Sequence, residues 1–223
     1  MGSRDQAIAC APRPTVGVED VLAWPFPGVQ ARQVQEVARS AGGATSCCRV
    51  PPHLLSWGNS AAWEASLREL VSRALTELGV EVATKATLAG LELQQASDSQ
   101  GNSSSLSPSW QMGPEVAGAW GSLVIELPAL RDGGGLAVSH CGETERFDFS
   151  GAAAALTSHW VASYGVCERQ LQPLTSGRLL SLTYALSRAS GGPSPQPPSQ
   201  AAASRRFEQL ERRWVFDVST AGV

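Results

Sequence analysis

Four of the soft metal donors in this 223-residue chain fall in one stretch: His140, Cys141, His159 and Cys167. A metal site needs three or four such groups converging on one point. The five cysteines, Cys10, Cys47, Cys48, Cys141 and Cys167, form no Cys-x-x-Cys pair. Their odd number argues against a disulfide framework as well as a zinc ribbon. They are expected to be free thiols, buried or half-buried. The two histidines read as hydrogen-bonded strand residues before they read as ligands. The vicinal Cys47-Cys48 would be a redox handle only beside a group that lowers a thiol pKa, and the sequence supplies none there. Asp148 and Glu168 are carboxylates without a visible partner. There is no Ser-His-Asp order, no phosphate loop and no G-x-S-x-G. His-x-Asp and His-x-Glu are also absent from the chain. No catalytic residue and no metal ligand is assigned on this basis.

These groups are carried by a run of short strands. Residues 120–127 (WGSLVIEL) are almost continuously apolar, as in a central strand buried on both faces. Leu91 and Leu93 alternate with Glu92 and Gln94 in a half-buried strand whose polar residues face outward. Gly133-Gly134-Gly135 turns the chain into a hairpin over 136–149, with Gly142 at its tip. Strands follow at 159–165, 170–174 and 179–184, with Thr175-Ser176-Gly177 turning between the last two. Helices are expected earlier. Val34, Val37 and Ala38 share a face within 29–40, closed by Gly42-Gly43. Ser60 is expected to cap the strongest helix, in which Trp63, Leu67, Leu70, Val71, Ala74, Leu75 and Leu78 recur at helical spacing before Gly79. The segment 47–57 reads as irregular around Pro51-Pro52.

Four regions result. Residues 1–27 are an irregular arm offering one short strand. Residues 28–186 form the folded domain, with a β core over about 88–186 and a long polar loop at 96–118. Residues 187–203 are a Pro/Ser/Ala-rich linker. Residues 204–223 are an amphipathic helix capped by Ser204. The class is α+β, a closed or sandwiched antiparallel core with N-terminal helices packed outside.

Composition narrows the function. Apolar residues make up 43% and charged residues 17%, so a buried core is expected rather than a disordered polyelectrolyte. Seventeen basic against 20 acidic residues leave a net charge of −3, with no electrostatic grip on nucleic acid. No apolar run approaches a membrane span of about 18 residues, and residues 1–16 hold no signal-peptide core, so a cytoplasmic protein is expected. The pattern sets no oligomeric state.

The pieces GSLVIELP (121–128), GGGLAVSH (133–140), ERFDF (145–149) and HWVASYGVCERQLQPLTSGRLLSLTY (159–184) carry a resemblance through their order and spacing. They resemble the C-terminal half of iron(II)/2-oxoglutarate-dependent dioxygenases, in the prolyl-4-hydroxylase-like branch, over 88–186 and more weakly from Val29 onward. The resemblance implies a double-stranded β-helix (jelly-roll) core. It also implies hydroxylation chemistry using iron(II), 2-oxoglutarate and ascorbate, with iron held by two histidines and a carboxylate. Aligned on Pro108 and Gly121, the family's His-x-Asp falls on Ser109 and Gln111, and its distal histidine on Arg169. The family's cosubstrate-binding basic residue falls on Leu179. Arg178, one residue earlier, is the candidate cofactor-binding residue, although alternation along a strand would point it out of the barrel. None of the family's cofactors is expected to bind well. Three readings follow: an active dioxygenase, a pseudoenzyme that takes a protein or peptide segment in the β-core groove, or a truncated or decayed family member.

Overall fold

The computed structural model describes residues 12–17, 21–41, 48–96, 110–112, 116–190, 192–197 and 213–215. The N-terminal half contributes β1 (Pro14–Val16), α1 (Gly28–Ser40), β2 (Cys48–Val50), β3 (Leu55–Trp57) and α2 (Ser60–Leu78). The C-terminal part contributes the longer strands β4 (Thr84–Gln95), β6 (Ala119–Leu127), β10 (Thr157–Tyr164) and β12 (Leu174–Arg188). Between them lie β5 (Trp110–Met112), β7 (Arg131–Gly133), β8 (Leu136–His140), β9 (Glu143–Phe147) and β11 (Glu168–Leu171), with β13 (Arg213–Val215) last.

Two antiparallel sheets divide these strands. The larger runs β13-β10-β6-β12-β4-β2, with β7 pairing to β12, and the smaller runs β5-β11-β8-β9. The chain alternates between them. β4, β6, β10 and β12 lie in the larger sheet, and β5, the β8–β9 hairpin and β11 in the smaller. β1 and β3 form a separate pair.

The larger sheet has two different faces. One carries Leu180, Leu182, Tyr184 and Leu186 of β12, with Leu123, Ile125 and Leu127 opposite them on β6, all buried. This face meets the helices. The Trp63 indole Nε1 of α2 donates to the Tyr184 hydroxyl at 3.1 Å, and the Tyr164 hydroxyl of β10 donates to the Leu78 carbonyl at 2.9 Å. The apolar stripe of α2 buries Trp63, Leu70, Val71, Ala74 and Leu78 here, each worth about 1.5–3 kcal/mol for the larger side chains. α1 buries Ala31, Val34 and Ala38 from one face. The opposite sheet face carries Glu92, Ser181, Glu126 and His159 and looks toward the smaller sheet, as the stacking of His159 on Phe149 beyond β9 shows. Among the described residues no helix is long and apolar enough to cross a membrane.

Several expectations are corrected. Asn59, not Ser60, occupies the α2 N-cap, and it makes no side-chain cap bond; its Oδ1 accepts from the Arg13 backbone N–H at 3.0 Å instead. Gly79 closes α2 in the left-handed conformation, as its sequence position predicts. The segment 47–57 is not irregular where described: Pro51 separates β2, which adds to β4, from a short 3-10 turn and β3, which pairs with β1. Part of 96–118 is the strand β5 rather than loop.

No turn divides 170–174 from 179–184. Residues 168–177 run on antiparallel to 139–131 through Gln172-Pro173, and β12 bends at Gly177 (φ +73°) while passing from β7 to β4. β12 also runs through Arg188, so the linker cannot begin at 187. Arg213–Val215 form a strand on the open edge of β10 rather than a helix, because an unpaired edge offers a row of backbone donors and acceptors. The rest of the expected 204–223 helix, Gly42-Gly43 and most of the 96–118 loop lie outside the described residues.

Candidate functional site

The inner face of the larger sheet holds a polar row at a single level. Register places Glu92 of β4 opposite Ser181 of β12, Ser181 opposite Glu126 of β6, and Glu126 opposite His159 of β10. Arg49 of β2 pairs with Glu92 on its other side, Nε to Oε1 at 3.8 Å. The sequence pattern put Glu92 on a solvent face. The second sheet covers that face, which leaves the Glu92 side chain 20% exposed.

Glu126 is the most deeply buried carboxylate of the row. Its counter-charge is Arg131, which donates to it, and the two side chains are 5% and 3% exposed. Burial pushes the Glu126 carboxyl above the usual carboxylate range, with Arg131 acting in the opposite direction. A lone Glu inside the apolar run 120–127 was the sequence signal for this pair. Its partner five residues later was not distinguishable from a surface arginine. The Asp148 carboxyl is held below the usual range by a hydrogen bond from the Ser150 side chain, then by the Ser150 backbone N–H, which donates to it at 3.0 Å in a local turn.

In the smaller sheet, β11 carries Arg169. Its register partners are Val138 of β8, which is 2% exposed, and Gln111 of β5. Residues directly opposite share a face, so Arg169 lies on the buried side of the smaller sheet, while Glu168, opposite Ser139, is exposed. Burial draws the Arg169 guanidinium below its ordinary pKa, and the charge of Glu92 is the first force opposing that. The structure therefore puts Gln111 and Arg169, two of the positions aligned with the family's iron ligands, side by side on adjacent strands. Ser109 lies outside the described residues.

This donor set does not fit iron(II). A guanidinium offers no lone pair and repels a dication, and a glutamine brings no compensating negative charge. Among the described residues no three His, Cys, Asp or Glu side chains are grouped to hold a metal. The alternative cluster is split up: His159 is on the larger sheet, stacked on Phe149 at 4.4 Å, whereas His140 and Cys141 are at the tip of the β8–β9 hairpin. Cys48, Cys141 and Cys167 are free thiols, half-buried, exposed and buried in turn. Burial raises the Cys48 and Cys167 thiols, so neither is an activated nucleophile.

Arg178 lies on the opposite face of the larger sheet from Glu92 and Glu126. It belongs to the helix-facing side of β12 with Leu180 and Leu182, opposite Gln95, which accepts from Gln35 Nε2 of α1 at 2.7 Å. Its guanidinium lies against the first residue of α1; a Cβ on Gly28 would stand 2.9 Å from Nη2. Leu179 points the other way, to within 3.8 Å of where a Cβ on Gly134 would be.

No family model matches the sequence, and no curated protein matches it. Among solved structures, the crystal structure of an oxidoreductase of the 2OG-Fe(II) oxygenase family from Burkholderia pseudomallei is a distant neighbour at 16% identity and a TM-score of 0.38. The likeness covers 64% of this chain and 63% of that one, just under two thirds of its length.

Proposed function

We propose that the chain is a double-stranded β-helix of the iron(II)/2-oxoglutarate dioxygenase type, prolyl-4-hydroxylase-like in its motifs. In this reading its iron centre has been lost and the cleft between the sheets serves as a binding module. Two features support the scaffold: the ordered motifs over 121–184, and a strand order in which successive strands alternate between a four-strand path β4-β12-β6-β10 and the facing β5-β11-β8-β9. The observation that carries the non-catalytic reading is Arg169. It sits on the buried face of β11, in register with Gln111, at the point where the family's distal histidine would bind iron. A cation there replaces a metal site with a site of opposite preference. Arg178, turned to α1, leaves the cosubstrate without its usual bidentate partner in the cleft.

The test is an anaerobic iron(II) titration followed by a 2-oxoglutarate decarboxylation assay. It uses the parent chain and a triple variant, Ser109→His, Gln111→Asp, Arg169→His. The parent is expected to bind no iron(II), and the variant to gain micromolar binding. Iron binding with carbon dioxide release by the parent would replace this reading with that of an active dioxygenase.

A further inference from the structure

We propose that Arg169 is the anchor of a carboxylate-binding site on the covered face of the smaller sheet. The inference deepens the binding-module reading and rests on it. Arg169 lies on the covered face of β11, and its buried Nε has no hydrogen-bond partner among the described residues. Leaving a buried guanidinium N–H unsatisfied costs more than a typical hydrogen bond returns, and an acceptor brought by a ligand would complete it.

The charges around it have a definite balance. Glu92 is the carboxylate nearest in effect, but it already answers Arg49 from the neighbouring strand at 3.8 Å. Two guanidiniums and one carboxylate leave a single positive charge, and around the largely buried Arg169 attraction is several times stronger than in water. Glu126 does not alter this balance, being neutralised by Arg131.

The ligand chemistry follows from the geometry of the fork. A guanidinium pairs bidentately with a planar carboxylate, and one carboxylate cancels the one surplus charge. A free small acid and an acidic side chain on a protein segment present the same group. A polyanion such as a nucleic acid is opposed by the chain's net charge of −3.

The full-length chain is titrated by calorimetry at low salt with three probes: sodium glutarate, an acetylated and amidated pentapeptide with a central glutamate, and the same peptide with glutamine. The proteins are the parent, Arg169→Gln and Arg169→Lys, each checked for a native melting transition. Glutarate or the glutamate peptide is expected to bind the parent, the glutamine peptide at least about tenfold more weakly. Arg169→Gln is expected to lose at least about tenfold in affinity, and Arg169→Lys to fall between, because it keeps the charge without the fork. Preference for glutarate would assign a free acid, and preference for the glutamate peptide a protein segment. Either supports the site. Equal binding by Arg169→Gln, or no binding of either acid tighter than about 10 mM, overturns it. If the binding-module reading itself is wrong, the iron(II) titration of the parent shows it independently of these outcomes.

Discussion

Arg131 donates to Glu126 across the start of the β7 segment, and the two side chains form an ion pair almost wholly withdrawn from water. A withdrawn pair is sensitive to the loss of one member, because the survivor is left as a bare buried charge. Arg131→Met is expected to cost about 3–5 kcal/mol at pH 7, measured by urea unfolding. The carboxyl of Glu126 is already raised by burial. A group with a raised folded pKa supports the fold fully below its unfolded value and loses that support as pH rises through the folded one. The Arg131→Met variant should therefore recover much of its loss near pH 4, where Glu126 takes up a proton. The double variant Glu126→Leu, Arg131→Met should be more stable at pH 7 than the single one.

Tyr184 is expected to titrate at about pH 12, pushed up from 10.0 by burial, with the Trp63 hydrogen bond pulling the other way. Its folded pKa lies above the unfolded one, so stability should fall as pH rises from 10 toward 12, where the unfolded chain releases the proton first. Tyr184→Phe should remove that loss, while costing about 1–3 kcal/mol at neutral pH by leaving the Trp63 Nε1 donor without an acceptor. Alkaline unfolding followed by tryptophan fluorescence reads both effects. A parent whose stability is flat between pH 10 and 12 would contradict the assignment.

Gly177 is where β12 bends between its pairings. Its φ is +73°, and a Cβ there would stand 2.1 Å from the Leu130 carbonyl oxygen, which the backbone cannot yield easily. Gly177→Ala is expected to cost at least about 2 kcal/mol. Gly142 at the hairpin tip has a similar φ of +84°, but no atom lies within 4 Å of its ideal Cβ. Gly142→Ala is expected to cost only the backbone term, about 1 kcal/mol. The difference between the two melting temperatures checks whether close approach, and not φ alone, makes Gly177 special.

The sequence alone carried the helix α2 and its face, the end of α2 at Gly79, the central position of β6 and the β8–β9 hairpin. In each case the signal was local: a helical or two-residue period, a glycine at a left-handed site, or a run too apolar to alternate. It also carried the lack of a His-x-Asp pair, which is a matter of residue identity. Tertiary structure decided what local signals leave degenerate. Glu92 alternates with leucines whether its polar face meets water or a second sheet, and only the packing of β11 across it brings its charge to bear on Arg169. Arg178 and Leu179 are adjacent, and the pairing of β12 with β4 and β6 determines which of them faces α1. The turn expected at 175–177 became a bend because β7, more than forty residues earlier, pairs across it. Arg213–Val215 joined β10 because an edge strand there was open to pair. Contacts between residues far apart in the chain depend on register and sheet order, and a single strand's alternation does not contain either.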